Sequence, residues 1–579
     1  MADMNYLHSA SAVQASEISI AHTDEENTVT RHIPALSNIH APSISFVVRL
    51  PIDILAAIFI EGSRDYYDRY NSGHHISTAP SWVNVSYVCR HWRHVSLNCP
   101  TLWSYLFDTS PHWTQELLSR SKHAPLKAYV DLDFGHKFPF LEQVMTHVER
   151  LEEFRFRLPW TTNDQIFSIL SLPAPRLRYL TILPSYMSLR SDWPSVLFGG
   201  DTPALRTLEL TSCLLPWYSL NLSGLTNLDL CRVPLRFHEE FLSTLRRMHG
   251  LTHLYLENTL DIASASLSSA ASDIVQKIDL PHLARLFVFD GLSTVLAFLS
   301  CVNIPSKTEV RLRCYTEYDS SPDDYAQLSS LLTHRFHSSD NEASYDPTIR
   351  SLTIKIVWDM ATLTFSASEH DCGVSTFEPR MDWGLNVPMQ LTVRFNESKT
   401  KTKKVDIISD ICCCMPLTNV RRVHIVTPPF PSSFWSKTLG HLSDVRYLKL
   451  SQGYMPDLAP VLSLVPYVYT ENQDRLLAPA LEVLELYDIT FSSPLDSEGD
   501  VPSAADVQSL YDALSSRKEC PGHLTMVRCV VGIHDGGEQL DMVGRWGDGR
   551  FLVIEECRRP CDSQFESEGS DSDSLFGSH

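Results

Sequence analysis

The sequence predicts an α/β fold: a small N-terminal all-helical unit, then a curved solenoid with parallel strands on its concave face and helices on its convex face. Three observations predict it. A phrase of one apolar residue, two others, one apolar, one other and one apolar recurs from Leu151 to Cys529. Amphipathic helical stretches fall between its copies. Residues 50–103 have a helical period instead of the alternation of a strand.

The chain of 579 residues exceeds one ordinary core, and its length suggests about three or four domains or one extended array. With 43% hydrophobic and 20% charged residues it has the composition of a folded soluble protein, which excludes wholesale disorder. A net charge of −21, from 48 basic and 69 acidic residues, argues against nucleic acid as a partner. The basic run Lys399, Lys401, Lys403 and Lys404 reads as a solvated loop.

Residues 1–43 are polar and aperiodic, and read as a disordered arm without the basic and apolar regions of a secretory signal. No run of 18 apolar residues occurs, so no membrane partner is expected, and the Asn-x-Ser triplets at Asn84, Asn221 and Asn396 are incidental. The 14 cysteines include no Cys-x-x-Cys pair, which suits buried thiols in a reducing compartment, the cytoplasm and/or nucleus.

The helical unit is placed at 44–108. Pro51 suits a first helical position, because the N–H it lacks is unpaired there in any residue. Ile54, Leu55, Ile58 and Phe59 form a helical stripe, followed by a polar loop over 64–81. Val85, Val88, Cys89, Trp92 and Val95 repeat the spacing on a second helix, and Pro100, Leu102 and Trp103 make a short third turn. A unit this small is near the lower limit for independent folding, so docking onto a partner is expected.

These residues resemble the F-box, in the F-box-like variety expanded in mushroom-forming fungi. The pattern Leu-Pro-x-(Asp/Glu)-Ile-Leu, Ile-Phe, Trp-x-x-Val-Ser-x-Val-Cys-Arg-x-Trp-Arg, Pro-x-Leu-Trp is met by Leu50, Pro51, Asp53, Ile54, Leu55, Ile58 and Phe59. It continues with Trp82, Val85, Ser86, Val88, Cys89, Arg90, Trp92, Arg93, Pro100, Leu102 and Trp103. The resemblance implies a Skp-type adaptor as partner.

Beyond it, a helix is expected around Trp113, Leu117 and Leu118, then a strand over Ala128–Phe134. The repeated phrase follows, as Leu151-x-x-Phe154-x-Phe156, Leu177-x-x-Leu180-x-Ile182, Leu205-x-x-Leu208-x-Leu210, Leu225-x-x-Leu228-x-Leu230, Leu251-x-x-Leu254-x-Leu256 and Leu283-x-x-Leu286-x-Val288. Later copies start at Ile349, Val420, Val445, Leu481 and Leu524, with weaker ones at Val310-x-Leu312 and Leu391-x-Val393. First positions are separated by 28 residues (177 to 205), then 20, 26 and 32. The phrase and these steps resemble a divergent leucine-rich repeat, placed here over 109–560.

The last two apolar residues of each copy are two apart and share one strand face, so the residue between them faces the other way. Helices are expected over Phe237–Met248, Tyr325–His334, Val405–Ile411 and Ala504–Leu514. The Asn or Cys usual three residues after the last leucine is Cys213 in one copy but Val233, Gly453 and Ile489 in others, so a buried Asn ladder is mostly missing. Residues 561–579, rich in Ser, Asp and Glu, read as an acidic disordered tail.

No catalytic constellation is found: no Gly-x-Ser-x-Gly, no phosphate loop, no Gly-x-Gly-x-x-Gly and no His-Glu-x-x-His. No metal site or cofactor is expected. Cys412, Cys413 and Cys414 read as part of a buried apolar segment ending at Pro416, and Cys557 and Cys561 as neither disulfide nor metal site.

The resemblance implies a non-catalytic substrate-recognition subunit of a Skp–cullin–F-box ubiquitin ligase. Candidate adaptor-binding residues are Leu50, Pro51, Ile54, Leu55, Ile58, Val85, Val88 and Trp92. Candidate target-binding residues on the strand face are Tyr255, Arg285, Phe287, Tyr447 and Lys449, which read equally well as ordinary solvated strand residues. The target is an unknown protein. The alternative is a repeat scaffold outside any ligase, capped by the helical unit.

Overall fold

A computed structural model of the chain describes residues 50–71, 80–132, 138–158, 164–184, 196–200, 202–213, 220–233, 238–260, 277–315, 322–337, 349–357, 360–367, 389–394, 401–426, 432–440, 442–454, 478, 480–490, 523–527 and 551–555. The arm expected at 1–43, the helix at 504–514, Cys557, Cys561 and the tail at 561–579 lie outside these residues. The chain divides into two compact units, Met1–Leu55 and Ala56–His579.

Helix α1 (Ile52–Asn71) begins directly after Pro51, whose carbonyl accepts the Leu55 N–H at 3.0 Å. Asp53 in its first turn and Arg69 in its last complement the helix dipole. Residues 64–71 therefore continue the helix, where a loop was expected. The reason is tertiary. Tyr66 and Tyr67 extend the buried stripe of Phe59 and Ser63 at helical spacing. Tyr66 and Tyr70 pack on Phe107 (5.1 and 5.3 Å between ring centroids), and Tyr67 on Tyr105 (5.4 Å).

The expected second helix is two helices, α2 (Val85–Val88) and α3 (Arg90–Leu97). Cys89 between them is extended (φ −158°, ψ 171°), and its Sγ accepts the Trp92 N–H at 3.4 Å, capping α3. The break turns Val88 outward while Val95 is buried. The short third turn is a 3-10 turn over Pro100–Trp103; Trp103 Nε1 donates to the Ser96 carbonyl at 2.8 Å.

The alternating region starts with β1 (Tyr105–Leu106), α4 (Pro111–Ser121), β2 (Leu126–Asp131), α5 (Phe138–Met145), β3 (Leu151–Leu158), α6 (Asp164–Ile169) and β4 (Tyr179–Pro184). It continues with β5 (Thr207–Thr211), β6 (Asn227–Cys231), α7 (His238–Leu245), β7 (His253–Glu257), β8 (Ile278–Asp279), β9 (Arg285–Gly291), α8 (Leu292–Cys301), β10 (Val302–Asn303) and β11 (Glu309–Tyr315). Then come α9 (Pro322–His337), β12 (Ser351–Val357), β13 (Met360–Ser366), β14 (Met389–Arg394), α10 (Lys401–Cys413), β15 (Arg422–Val426), α11 (Ser432–Leu439), β16 (Tyr447–Tyr454), β17 (Val483–Thr490), β18 (His523–Val527) and β19 (Phe551–Glu555). Lys401, Lys403 and Lys404 thus open helix α10 and do not lie in a loop.

Among the described residues seventeen strands form one open, mostly parallel sheet, and β8 pairs with β10 apart from it. From β1 to β7 each strand pairs with the next, then β7 with β9 and β9 with β11. Copies of the phrase align in register: Phe154, Leu180, Leu208, Leu228, Leu254 and Leu286 share one row, and all are buried. Fully burying a leucine contributes about 1.5–3 kcal/mol, and this row with the one two residues on makes the core beneath the sheet.

Parallel order breaks in the middle. β11 pairs with β14, β14 with β13, β13 with β12 and β12 with β15, so three strands enter in reversed spatial order. β13 is antiparallel to both its neighbours. Only two residues separate β12 from β13, and a connection so short joins antiparallel strands alone. From β15 to β19 the sheet is parallel again. In β18, Leu524 pairs with Leu484 and Met526 with Leu486, so the last copy sits three residues earlier in the phrase than Leu524-x-x-Val527-x-Cys529.

A second repeat signature lies in the backbone. Ser212, Arg232, Asn258, Gln452 and Asp488, each two residues past the last apolar position, have φ of 49–65°. The N–H groups of the first three donate to Cys231, Glu257 and Phe289 carbonyls on the next strand. One residue further, Cys213, Val233, Thr259 and Ile489 are buried, so thiol, hydroxyl and apolar side chains fill this position and none of the four is an Asn.

Candidate functional site

The expected adaptor-binding residues divide by face. In the first unit Leu50 is half-buried, Pro51 is exposed, Ile54 keeps 49% of its surface and Leu55 is fully buried. In the second, Ile58 is 52% and Val88 60% exposed, whereas Val85 and Trp92 are half-buried. Trp92 packs on Phe59 with ring centroids 5.0 Å apart, which fixes α3 on α1. Sequence reasoning missed Ile52 and Tyr87, both more than half exposed. Tyr87 became visible only with the break at Cys89, for which no proline or glycine gives a signal.

The target-binding candidates lie on the sheet face opposite the core, in two groups. Tyr255 on β7 and Phe287 on β9 are register partners, stacked at 4.4 Å with rings 11° from parallel. They are only 7% and 3% exposed, so neither is a solvated strand residue, and the Tyr255 hydroxyl donates to Glu257. Arg285 is half-exposed and lies 3.6 Å from Glu309, which also holds the buried Arg311 at 2.9 Å. Burial pushes the Glu309 carboxyl above the usual range, against the pull of both arginines. Burial, with Arg285 adding to it, lowers His253 and favours a neutral imidazole.

The second group is on β16. Tyr447 lies under the Arg422 guanidinium, 3.7 Å from ring centroid to Cζ, and the Lys449 ammonium lies 4.6 Å from the Tyr487 ring. Burial raises the Tyr447 hydroxyl, as does its hydrogen bond to Glu485. Strands β11, β14, β13, β12 and β15 stand between β9 and β16, so the five candidates do not converge on one cluster.

One buried carboxylate on the sheet is closed internally. Asp290, at the end of β9, accepts the N–H groups of Thr259 (3.0 Å), Leu260 (2.9 Å) and Gly291 (2.9 Å) and the Tyr315 hydroxyl (3.2 Å). Burial outweighs these donors and raises its carboxyl. Burial also pushes the Cys213 and Cys314 thiols up to about 12. The three-cysteine run straddles the end of α10: Cys412 is buried, Cys413 is exposed with its Sγ 3.9 Å from the Lys437 carbonyl, and Cys414, one residue past the helix, is half-buried. The run is therefore not one buried segment.

Among the described residues no group of three His, Cys, Asp or Glu could hold a metal ion, and no helix is long and apolar enough to cross a membrane. No model of a known protein family matches the chain, and no curated protein matches it significantly.

Proposed function

We propose that the chain is a substrate-recognition subunit of a Skp–cullin–F-box ubiquitin ligase. On this reading α1–α3 are an F-box-like unit, and the sheet is the concave face of a divergent leucine-rich-repeat solenoid with helices on its convex face. The adaptor docks on the helical unit and a target protein on the strand face. The subunit does no bond chemistry; it positions the target.

One observation carries the reading. Ile58 on α1 and Val88 on α2 stay in solvent, although α1 buries Phe59 and α3 buries Val95. Exposed aliphatic side chains on a short helical unit suit a partner that accepts a helix face. The repeated strand phrase, its common register and its common positive-φ residue support the leucine-rich-repeat assignment.

A second reading, a repeat scaffold outside any ligase, is favoured by Tyr66, Tyr67 and Tyr70. They pack α1 on Tyr105 and Phe107, as an end cap would. Co-purification with a Skp-type adaptor separates the two. The parent chain is expected to retain the adaptor, and Ile58→Glu/Val88→Glu to weaken it by at least about tenfold. No retention by the parent, or full retention by the double variant, rejects the ligase reading.

A further inference from the structure

We propose that the outward sheet face over β12–β17 docks the chain's own acidic C-terminal segment, residues 561–579. The contact needs neither adaptor nor target, so it stands apart from the function proposed above.

Charge selects this face. In a chain of net charge −21, Lys355 on β12, Arg422 on β15 and Lys449 on β16 stand there, and the carboxylates on these three strands and β17 are Glu485 and Asp488, both on β17. Register places His424, Lys449 and Glu485 in one row and Ser451 and Tyr487 in the next. Lys355, Arg422 and Lys449 are all half-exposed, and tyrosine rings lie beneath Arg422 and Lys449. The same face over β5–β7 presents Glu209, Asp229 and Glu257 and no lysine or arginine. An acidic segment is repelled there and attracted to β12–β17.

The segment supplies the complement and has the reach. Residues 561–579 contain Asp562, Glu566, Glu568, Asp571 and Asp573 without lysine or arginine, and Phe565 and Phe576 can meet Tyr447 and Tyr487. Chain order brings it close, because β19 ends at Glu555 and pairs with β18, which pairs with β17. Three strand spacings from β19 to β16 span about 15 Å. Residues 556–560, extended, span about 17 Å before the acidic stretch begins.

Cleavage of the intact chain by a glutamate-specific protease after Glu566 and Glu568 reads the docked state. In about 0.01 M salt, Arg422→Glu/Lys449→Glu is expected to be cut at least about threefold faster than the parent. About 1 M salt is expected to abolish the difference. Asp571→Asn/Asp573→Asn leaves the sheet untouched and is expected to give the same acceleration at low salt. Lys277→Glu/Lys307→Glu, the same charge change at exposed positions off this face, is expected to give none. Equal rates in parent and Asp571→Asn/Asp573→Asn would overturn the proposal and leave the face to a separate acidic partner. An acceleration that survives high salt, or appears equally in Lys277→Glu/Lys307→Glu, overturns it as well.

Discussion

On α1, Phe59 is buried while its neighbour Ile58 keeps half of its surface in solvent; on β7 and β9 the large outward rings of Tyr255 and Phe287 close on each other. Ile58, Tyr255 and Phe287 are apolar or aromatic residues at positions where an anchor is expected, and their fates differ. A strand residue has register partners about 4.8 Å away on both sides, and a repeat array supplies them from the same chain. Among the described residues the outer side of α1 has no such partner row, and Ile58 is 52% exposed there. At β7 and β9 the sheet therefore closes its own outward surface, down to the buried Asp290 with its four hydrogen bonds, whereas the helical unit leaves aliphatic surface in solvent.

The largest test of that contrast sets adjacent residues on α1 against each other. Phe59→Ala removes a buried ring and the contact with Trp92, and is expected to cost about 3–5 kcal/mol. Ile58→Ala is expected to cost less than about 0.5 kcal/mol. Denaturant midpoints of both variants measure this, and equal losses would mean that Ile58 belongs to the core.

Asp290 tests the sheet side. Asp290→Ala strands three backbone donors at a buried site and is expected to cost about 1–3 kcal/mol. Its carboxyl is raised, so the folded chain holds the proton more tightly than the unfolded one. The protonated group's contribution is complete below the ordinary value of 3.8 and is lost as pH rises through the raised value. Melting temperatures from acid to neutral pH are expected to fall in the parent relative to Asp290→Asn as pH climbs above 3.8. A constant difference between the two would show that Asp290 does not titrate in that window.

How much of this was legible in the sequence depends on whether the information is local. The spacing of Leu205, Leu208 and Leu210 marks a strand and its buried face, because a period of two decides both. The direction of β13 was not legible, since alternation along Met360–Ser366 is the same whichever way the strand runs. The polar sequence over 64–71 reads as a loop, yet it holds a tyrosine stripe that Tyr105, Phe107 and Tyr129 cover. The positive-φ residues gave little signal, as none of Ser212, Arg232, Asn258, Gln452 or Asp488 is a glycine and Asn258 and Asp488 alone are of types that favour this region. For the candidate site, Ile58 and Val88 were named in advance, but the face each presents was not. The closure of Tyr255 depends on Phe287, 32 positions away and aligned only by the register of β7 with β9.

That closure gives the smallest and sharpest test. If the two rings are each other's partners, their energies must be coupled. Tyr255→Ala, Phe287→Ala and the double variant form a cycle whose expected coupling is about 0.5–1.5 kcal/mol, the range for aromatic pairs. Tyr255→Phe keeps the stack and removes the hydroxyl bond to Glu257, so it separates ring from hydroxyl. Coupling should persist between Phe at 255 and Phe287, since the 4.4 Å stack does not involve the oxygen. Additive losses would mean that each ring is held by other neighbours. Tyr255 could then turn toward a target without disturbing Phe287, and the sheet face would be as open to partners as the outer side of α1.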